Sequence, residues 1–414
     1  MSSHYKFIEG LKATLLLIIV GLCLFGYALR QHGKNSAVLS IVEVLFTRSD
    51  TQWMFCSYLA IWCTCFIALT FGLKDIPLVG LLLIAAVMYS TNYGFSFRSG
   101  NAVVFLGGIT LGKGARVIFE KREIDIQYYL IGLVVLLAFS SFWHLDPTGS
   151  YHGPRWMGLW DNPNIYGILM GSGLTLTIGL LVADFFGEMP DTARGSHALP
   201  FILLIAAGMM GVGLLMSYSR GAGLGMAVGL LYLSITHGKF KWQLVLPGIL
   251  FVTAVVCFFW SSTPDTSPWY VKRMDFGRPS AQHRVAAWHA AVQMMRDHPL
   301  GLGWNKATET YEKNYSPPED GAAALTTNSY LILGTELGLP ALLCFIAYIY
   351  LKFKSKAANS LQIACRAGAL VLLVAFWFDG GLLELPTATL FWILLELGTS
   401  DVTPNKRGML STTP

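Results

Sequence analysis

Charge is scarce in this chain. Only 13% of its 414 residues are Asp, Glu, Lys or Arg, against 54% hydrophobic, about half the charged share of a soluble globular domain. The net charge of +5 is small and spread over many segments. It builds no basic face of the kind a nucleic-acid partner requires, and no nucleic-acid partner is expected. Cysteine brings no framework either. Cys23, Cys56, Cys63, Cys65, Cys257, Cys344 and Cys365 all fall in apolar runs, where the residue behaves as a small hydrophobe. That excludes a disulfide scaffold and a zinc-finger spacing. The outer loops hold no carboxylate or histidine cluster with metal-ligand spacing, and the chain shows no internal repeat. The run from Ala13 to Leu29 lacks a small-residue cleavage site after it and reads as a retained helix.

What the chain has in quantity is apolar length. The spans expected to cross a bilayer are 11–29, 54–72, 75–92, 100–113, 127–143, 164–185, 199–218, 221–237, 243–261, 328–351, 363–379 and 382–399, each near the ~20 residues required. Ser36–Phe46 is apolar but short and reads as interfacial or re-entrant. Lys113, Arg116, Lys121 and Arg122 crowd one loop, Lys239 and Lys241 a second, and Lys352, Lys354 and Lys356 a third. Short loops rich in Lys and Arg stay in the cytoplasm, and counting spans puts all three on that side. The polar interval 262–327 then lies outside, between the ninth and tenth spans. It carries seven Lys/Arg and seven Asp/Glu, and so long a loop crosses largely regardless of charge. The fold class expected is an all-α polytopic membrane protein of about twelve spans, with the polar interval roofing the outer face. The chain divides into N-terminal helices (1–143), a region carrying the chemistry (144–351), and C-terminal helices with a tail (352–414).

The informative polar residues gather outside. Arg220 sits between two apolar runs, where a charge is costly, followed by glycines at 221, 223 and 225 that allow close approach. Its guanidinium suits phosphate oxygens. The competing reading is snorkelling to the headgroups of membrane lipids. Arg284 falls in an amphipathic stretch, Ala281–Arg296, with Trp288 four residues on and His283 beside it; an ordinary solvated helix is the bland alternative. Arg155 lies in an aromatic loop with Tyr151, Trp156 and Trp160, a composition that interfacial anchoring also explains.

In order along the chain come Arg-x-x-Gly-x-x-x-Asn-Pro-Asn (Arg155 to Asn164), Ser-Arg-Gly (Ser219 to Gly221) and Arg-x-x-x-Trp (Arg284 to Trp288). Pro-x-Gly-x-Gly (Pro299 to Gly303) and Asn-Ser-Tyr-Leu…Glu-Leu-Gly-Leu-Pro (Asn328 to Pro340) complete the series. This ordered set, over roughly 150–345, resembles the O-antigen ligase/polymerase family of bacterial membrane glycosyltransferases. The resemblance implies a helical bundle of the GT-C type in the bacterial inner membrane with its active site facing the periplasm. It also implies a donor glycan on undecaprenyl diphosphate. The acceptor is a lipid A-core sugar in the ligases and a glycan repeat unit in the polymerases, in lipopolysaccharide or surface polysaccharide assembly. No nucleotide sugar, metal or other cofactor is implied. Arg220 and Arg284 match the family's functional arginines and are expected to be catalytic, on the diphosphate, where preorganised cations meet developing charge. Arg155 is a third candidate. Asn164, Ser219, Trp288, His283, Asn328 and Glu336 are expected to bind substrate.

One position departs. Family ligases carry a histidine just before this Asn-Ser-Tyr-Leu, thought to activate the acceptor hydroxyl, and here the residue is Thr327, which cannot act as a base near neutral pH. Either His283, His289, Glu319, Asp320 or Glu336 substitutes, or late proton removal needs little help, or the acceptor differs and a polymerase gains weight. Bracing the helix that starts near Asn328 outranks catalysis for Glu336. A transporter or flippase is the rival class; it would be expected to show repeated halves around a midplane site.

Overall fold

The computed structural model describes residues 20–21, 75–93, 100–119, 123–141, 155–160, 162–185, 198–236, 279–315 and 327–399. The expected spans 11–29 (but for two residues), 54–72 and 243–261, the segment Ser36–Phe46, and Glu319 and Asp320 lie outside the described residues. Among those described there are α-helices and one 3-10 turn, and no strand.

The first group is α1 (Ile76–Tyr93), α2 (Gly100–Phe119), α3 (Glu123–Ser140), α4 (Pro163–Phe185), α5 (Ala198–Ser217) and α6 (Arg220–Thr236). The polar interval supplies α7 (Pro279–Asp297) and α8 (Ala307–Asn314). The C-terminal group is α9 (Ser329–Glu336), α10 (Gly338–Lys354), α11 (Ser360–Ala375), the 3-10 turn Gly381–Leu383 and α12 (Leu385–Leu397). Three described helices are long and apolar enough to cross a membrane by themselves, Asn101–Phe119, Pro163–Phe185 and Ala198–Ser217. Shorter apolar helices cover Ile76–Met88, Ile126–Ser140, Arg220–Thr236, Ser360–Ala375 and Leu385–Leu397.

Helix α4 is the hub, packed against α3, α5, α6 and α11. Small residues make that contact close. A Cβ on Gly225 of α6 would come within 2.5 Å of the Val371 carbonyl on α11, and the Ser172 hydroxyl donates across to the Gly368 carbonyl at 3.0 Å. In lipid, association rests on such packing and interhelical hydrogen bonds rather than on hydrophobicity. A second tight pair is α2 with α12, where Trp392 lies over Gly108 and Gly112.

The structure corrects two boundaries. Helix α2 runs past residue 113, so Lys113 and Arg116 belong to its last turns rather than to a loop, and Lys113 is buried. The expected span 328–351 is broken at Leu337 into α9 and α10. With eight residues α9 rises about 12 Å, too short to cross a bilayer. The break has a local cause, because Gly338 has φ +87 and a Cβ there would overlap the backbone of Leu300.

The expected amphipathic stretch 281–296 is α7. Its Ala287, Ala290, Ala291 and Met294 form a small separate core with Ala307 and Tyr311 of α8. This roof is fastened to the bundle by backbone. The amides of Leu302 and Gly303 donate to the carbonyls of Thr335 and Glu336 at 2.9 and 2.8 Å, and the Leu339 amide donates to the Pro299 carbonyl at 2.9 Å. The segments Pro299–Gly303 and Thr335–Leu339 therefore pair with each other. Gly301, at φ +92, has Glu336, Leu337 and Gly338 backbone about where its Cβ would stand, and only glycine fits such an approach. Trp304 goes deeper. It is fully buried, its Nε1 donates to the Ala85 carbonyl at 3.1 Å, and its ring lies 6.0 Å from that of Phe105.

Candidate functional site

The site grows from the start of α4. Pro163 opens the helix, where its missing N–H costs nothing, and the Asn162 side chain accepts from the Asn164 amide at 2.9 Å. Asn164 is thereby held in the first turn. Arg155 is anchored opposite, with Nε donating to the Ser217 carbonyl at the end of α5 (2.8 Å) and Nη2 to Asn164 Oδ1 (2.6 Å). Asn164 Nδ2 in turn donates to Asp379 Oδ2 at 3.1 Å. The order Ser217–Arg155–Asn164–Asp379 ties the end of α5, the loop before α4, α4 itself and the loop between α11 and α12 into one line.

Ser329 fixes that last loop. Its amide donates to the Phe376 carbonyl (2.9 Å) and its hydroxyl to the Asp379 carbonyl (2.8 Å), while the Leu382 amide donates to the same hydroxyl (3.1 Å). Asn328 caps α9, its Oδ1 accepting from the amides of Tyr330 and Leu331 at 3.0 and 3.2 Å. That is the usual work of an Asn at this position. From the roof, Asn305 meets Asn101 of α2, whose Nδ2 donates to Asn305 Oδ1 at 2.7 Å.

Between these pieces lies a cavity of about 500 Å³, lined by Asn101, Asn162, Asn164, Arg284, Asn305, Thr308, Thr327, Glu336, Asp379 and Glu384 among others. Its size is in the range of small-molecule sites, but its wall is polar. A shallower, apolar groove lined by Tyr330, Leu373, Val374, Trp377 and Phe378 runs beside it, with only the turn at Phe378–Asp379 separating the two linings.

Two carboxyl groups face the cavity in different states. Asp379, outside both flanking helices, is 8% exposed. Burial pushes its pKa up to about 6, against the Asn164 hydrogen bond, the Arg284 charge, the Gly380 amide and Arg155. Glu336, at the end of α9, is 3% exposed. Burial pushes it to about 8, opposed only by the Asn305 amide, and its Oε2 has no hydrogen-bond partner. Near neutral pH Asp379 is mostly ionised and Glu336 mostly protonated. Glu384 is also raised, by burial and then by repulsion from Asp379. Folding favours the protonated forms of Asp379 and Glu336. That stabilisation is complete below about pH 4 and is lost as pH rises through about 6 and then about 8.

Of the residues singled out from sequence, Asn164, Arg284, Thr327 and Glu336 share the lining, and Arg155 stands directly behind Asn164. Arg220 is the first residue of α6, exposed and not part of the lining. Its neighbour Gly221 is set against Phe378, one residue before Asp379. Ser219 is buried and its hydroxyl accepts from the Ala222 amide at 3.4 Å, a helix-capping role. Trp288 stands edge-on to Trp377 at 6.2 Å. His289 is exposed on α7; His283 is on the same helix, its side chain outside the described part.

Asp379, Glu384, Asn101 and Asn305 were not anticipated. A signal for the first existed. Counting spans places the turn after 363–379 on the outer side, and Trp-Phe-Asp-Gly-Gly puts an acid there. The two asparagines had no such signal, since only the docked roof brings them together.

Residues 205–346 match the family model described as O-antigen ligase. The match runs from α5 into α10 and includes Arg220, Arg284, Thr327 and Glu336, while Arg155, Asn164 and Asp379 lie outside it. No curated protein matches the chain. The matched segment is similar to the O-antigen ligase family, and the helices around it include three long and apolar enough to cross a membrane.

Proposed function

We propose that this protein transfers a glycan from undecaprenyl diphosphate to an acceptor sugar, on the periplasmic face of the bacterial inner membrane, at the cavity under α7. Bond cleavage leaves a diphosphate and charges the anomeric carbon positively, so cations placed in advance around the phosphates lower the barrier. Arg284 takes that role from the roof. Arg220, at the start of α6, is assigned to the same diphosphate from the bundle side, and Arg155 orients Asn164 toward the transferred sugar. Asn101, Asn305 and protonated Glu336 offer the sugar hydroxyls donors and acceptors.

One observation carries this reading. Residues 164, 284, 327 and 336, picked out by motifs far apart in the chain, line a single cavity. The test is turnover of an undecaprenyl-diphosphate-linked oligosaccharide by protein in vesicles. Arg284→Ala and Arg220→Ala are each expected to abolish transfer while the protein stays inserted and folded. Arg220→Lys is expected to be poor, because the planar fork is lost. Wild-type turnover by Arg220→Ala would remove that residue from the diphosphate.

Transfer to lipid A-core, the ligase reaction, is the first reading of the acceptor. Thr327 in the histidine's place favours a repeat-unit polymerase as the second. Surface glycans of a deletion strain separate them: loss of all capped lipid indicates a ligase, and survival of single-repeat caps a polymerase.

A further inference from the structure

We propose that Asp379 is the general base that takes the proton of the acceptor hydroxyl, in the place of the histidine this chain lacks at residue 327. The inference rests on the transferase reading above and names the residue that completes it.

The geometry is local. Thr327 and Asp379 line the same cavity. The Asp379 carbonyl is held by the hydroxyl of Ser329, two residues beyond Thr327, so the start of α9 and the acid's loop are tied together. The carboxylate is aimed by Asn164, itself held by Arg155, and receives the Gly380 amide. Two donors leave room among the roughly four lone-pair sites of a carboxylate for an incoming hydroxyl. The charged and titratable groups around it are Arg155 before α4, Arg284 on α7, Glu336 on α9 and Glu384 before α12.

The alternatives fare worse. His289 is exposed and absent from the lining. Glu336 shares the cavity but holds its proton near neutral pH, which suits a hydrogen-bond donor to the acceptor rather than a base. Two carboxyl groups whose surroundings drive them apart divide the roles in this way.

The step balances without a co-reactant. The acceptor oxygen forms its bond to the anomeric carbon as its proton passes to Asp379. The bond from that carbon to the phosphate oxygen breaks, and its electron pair leaves with the lipid diphosphate beside Arg284. Asp379 then returns the proton to water.

Asp379→Asn keeps an acceptor for Asn164 and removes the base. In vesicles, with the oligosaccharide donor above, turnover is expected to fall about 10²–10⁴-fold, the range for a lost general base. Affinity for undecaprenyl diphosphate, measured separately, is expected to stay. Adding Thr327→His to that variant is expected to restore at least about tenfold of the loss. The wild-type rate is expected to fall below an apparent pKa of about 6, and this acid limb to be absent in Asp379→Asn. Near-wild-type turnover with an unchanged limb overturns the assignment, as does a limb that disappears in Glu336→Gln instead. Parallel loss of diphosphate affinity also overturns it, by making Asp379 a positioning residue. If Asp379→Asn does not accumulate folded, Asp379→Glu decides: a displaced acid limb supports the base, and a rate flat from about pH 5 to 8 in the wild type removes it. Arg284→Ala separates the two levels. If it is inactive while Asp379→Asn is fully active, only the base is lost. If it is fully active, the transferase reading itself falls.

Discussion

Helices α2 and α12 each have one end at the cavity and the other in a second polar cluster, and the two ends use similar residues to opposite effect. Asn101 and Glu384 line the cavity; twelve residues further along, about 18 Å in a helix, stand Lys113 and Glu396. There Lys113 contacts Asp75 at 2.6 Å and Glu396 at 3.4 Å, Lys352 contacts the same two at 3.6 and 3.3 Å, and Arg116 is 3.6 Å from Glu396. The Tyr348 hydroxyl also bonds Glu396, which is fully buried. Every charge in that cluster faces an opposite one. At the cavity end the charges face a space, and Glu336 keeps an oxygen with no partner. Polar groups that satisfy one another hold a structure together; polar groups left facing a cavity are available to a ligand.

Four changes test this contrast. Glu396→Ala leaves Lys113, Arg116 and Lys352 close together without their shared carboxylate. Breaking a buried pair in this way costs about 3–5 kcal/mol, so thermal unfolding should move down sharply while turnover per folded molecule stays constant. Arg284→Ala should do the reverse, with transfer abolished and the unfolding temperature little changed. Equal damage to folding and activity by both variants would erase the distinction between the ends. Arg155→Lys cannot serve Ser217 and Asn164 with one fork, and about a tenfold drop in turnover is expected, about 1.4 kcal/mol of positioning. Glu336→Gln is the mildest. It should flatten the decline in stability as pH rises through about 8, and a thermal melt series across pH reads it directly.

Sequence revealed much of this architecture and missed the parts that depend on docking. Basic runs placed Lys113 and Lys352 on one side, and the two side chains meet the same carboxylate. The 281–296 amphipathic pattern became α7 because its alanines and Met294 repeat on one face. The break at Leu337 was signalled only by Gly338 and Pro340 inside a stretch otherwise long enough to span, and the Pro299–Leu300 backbone that meets Gly338 is remote in sequence. Arg155, Asn164 and Arg284 were legible through the ordered motifs that carry them. Asp379 is the last residue of the expected span 363–379, and only the end of α11 at Ala375 leaves the acid in the turn. The partnership of Asn101 with Asn305, 204 positions apart, is written in no local pattern.

Trp304 bears on how this protein can be taken apart in the laboratory. Its indole leaves the segment between α7 and α8 and ends among α1 and α2, bonded to Ala85 and beside Phe105. A soluble fragment excised around α7 and α8 would carry that ring into water with its N–H partner missing. Biochemistry on the isolated fragment would therefore describe a different object, and ligand screening belongs on the intact chain in detergent or lipid.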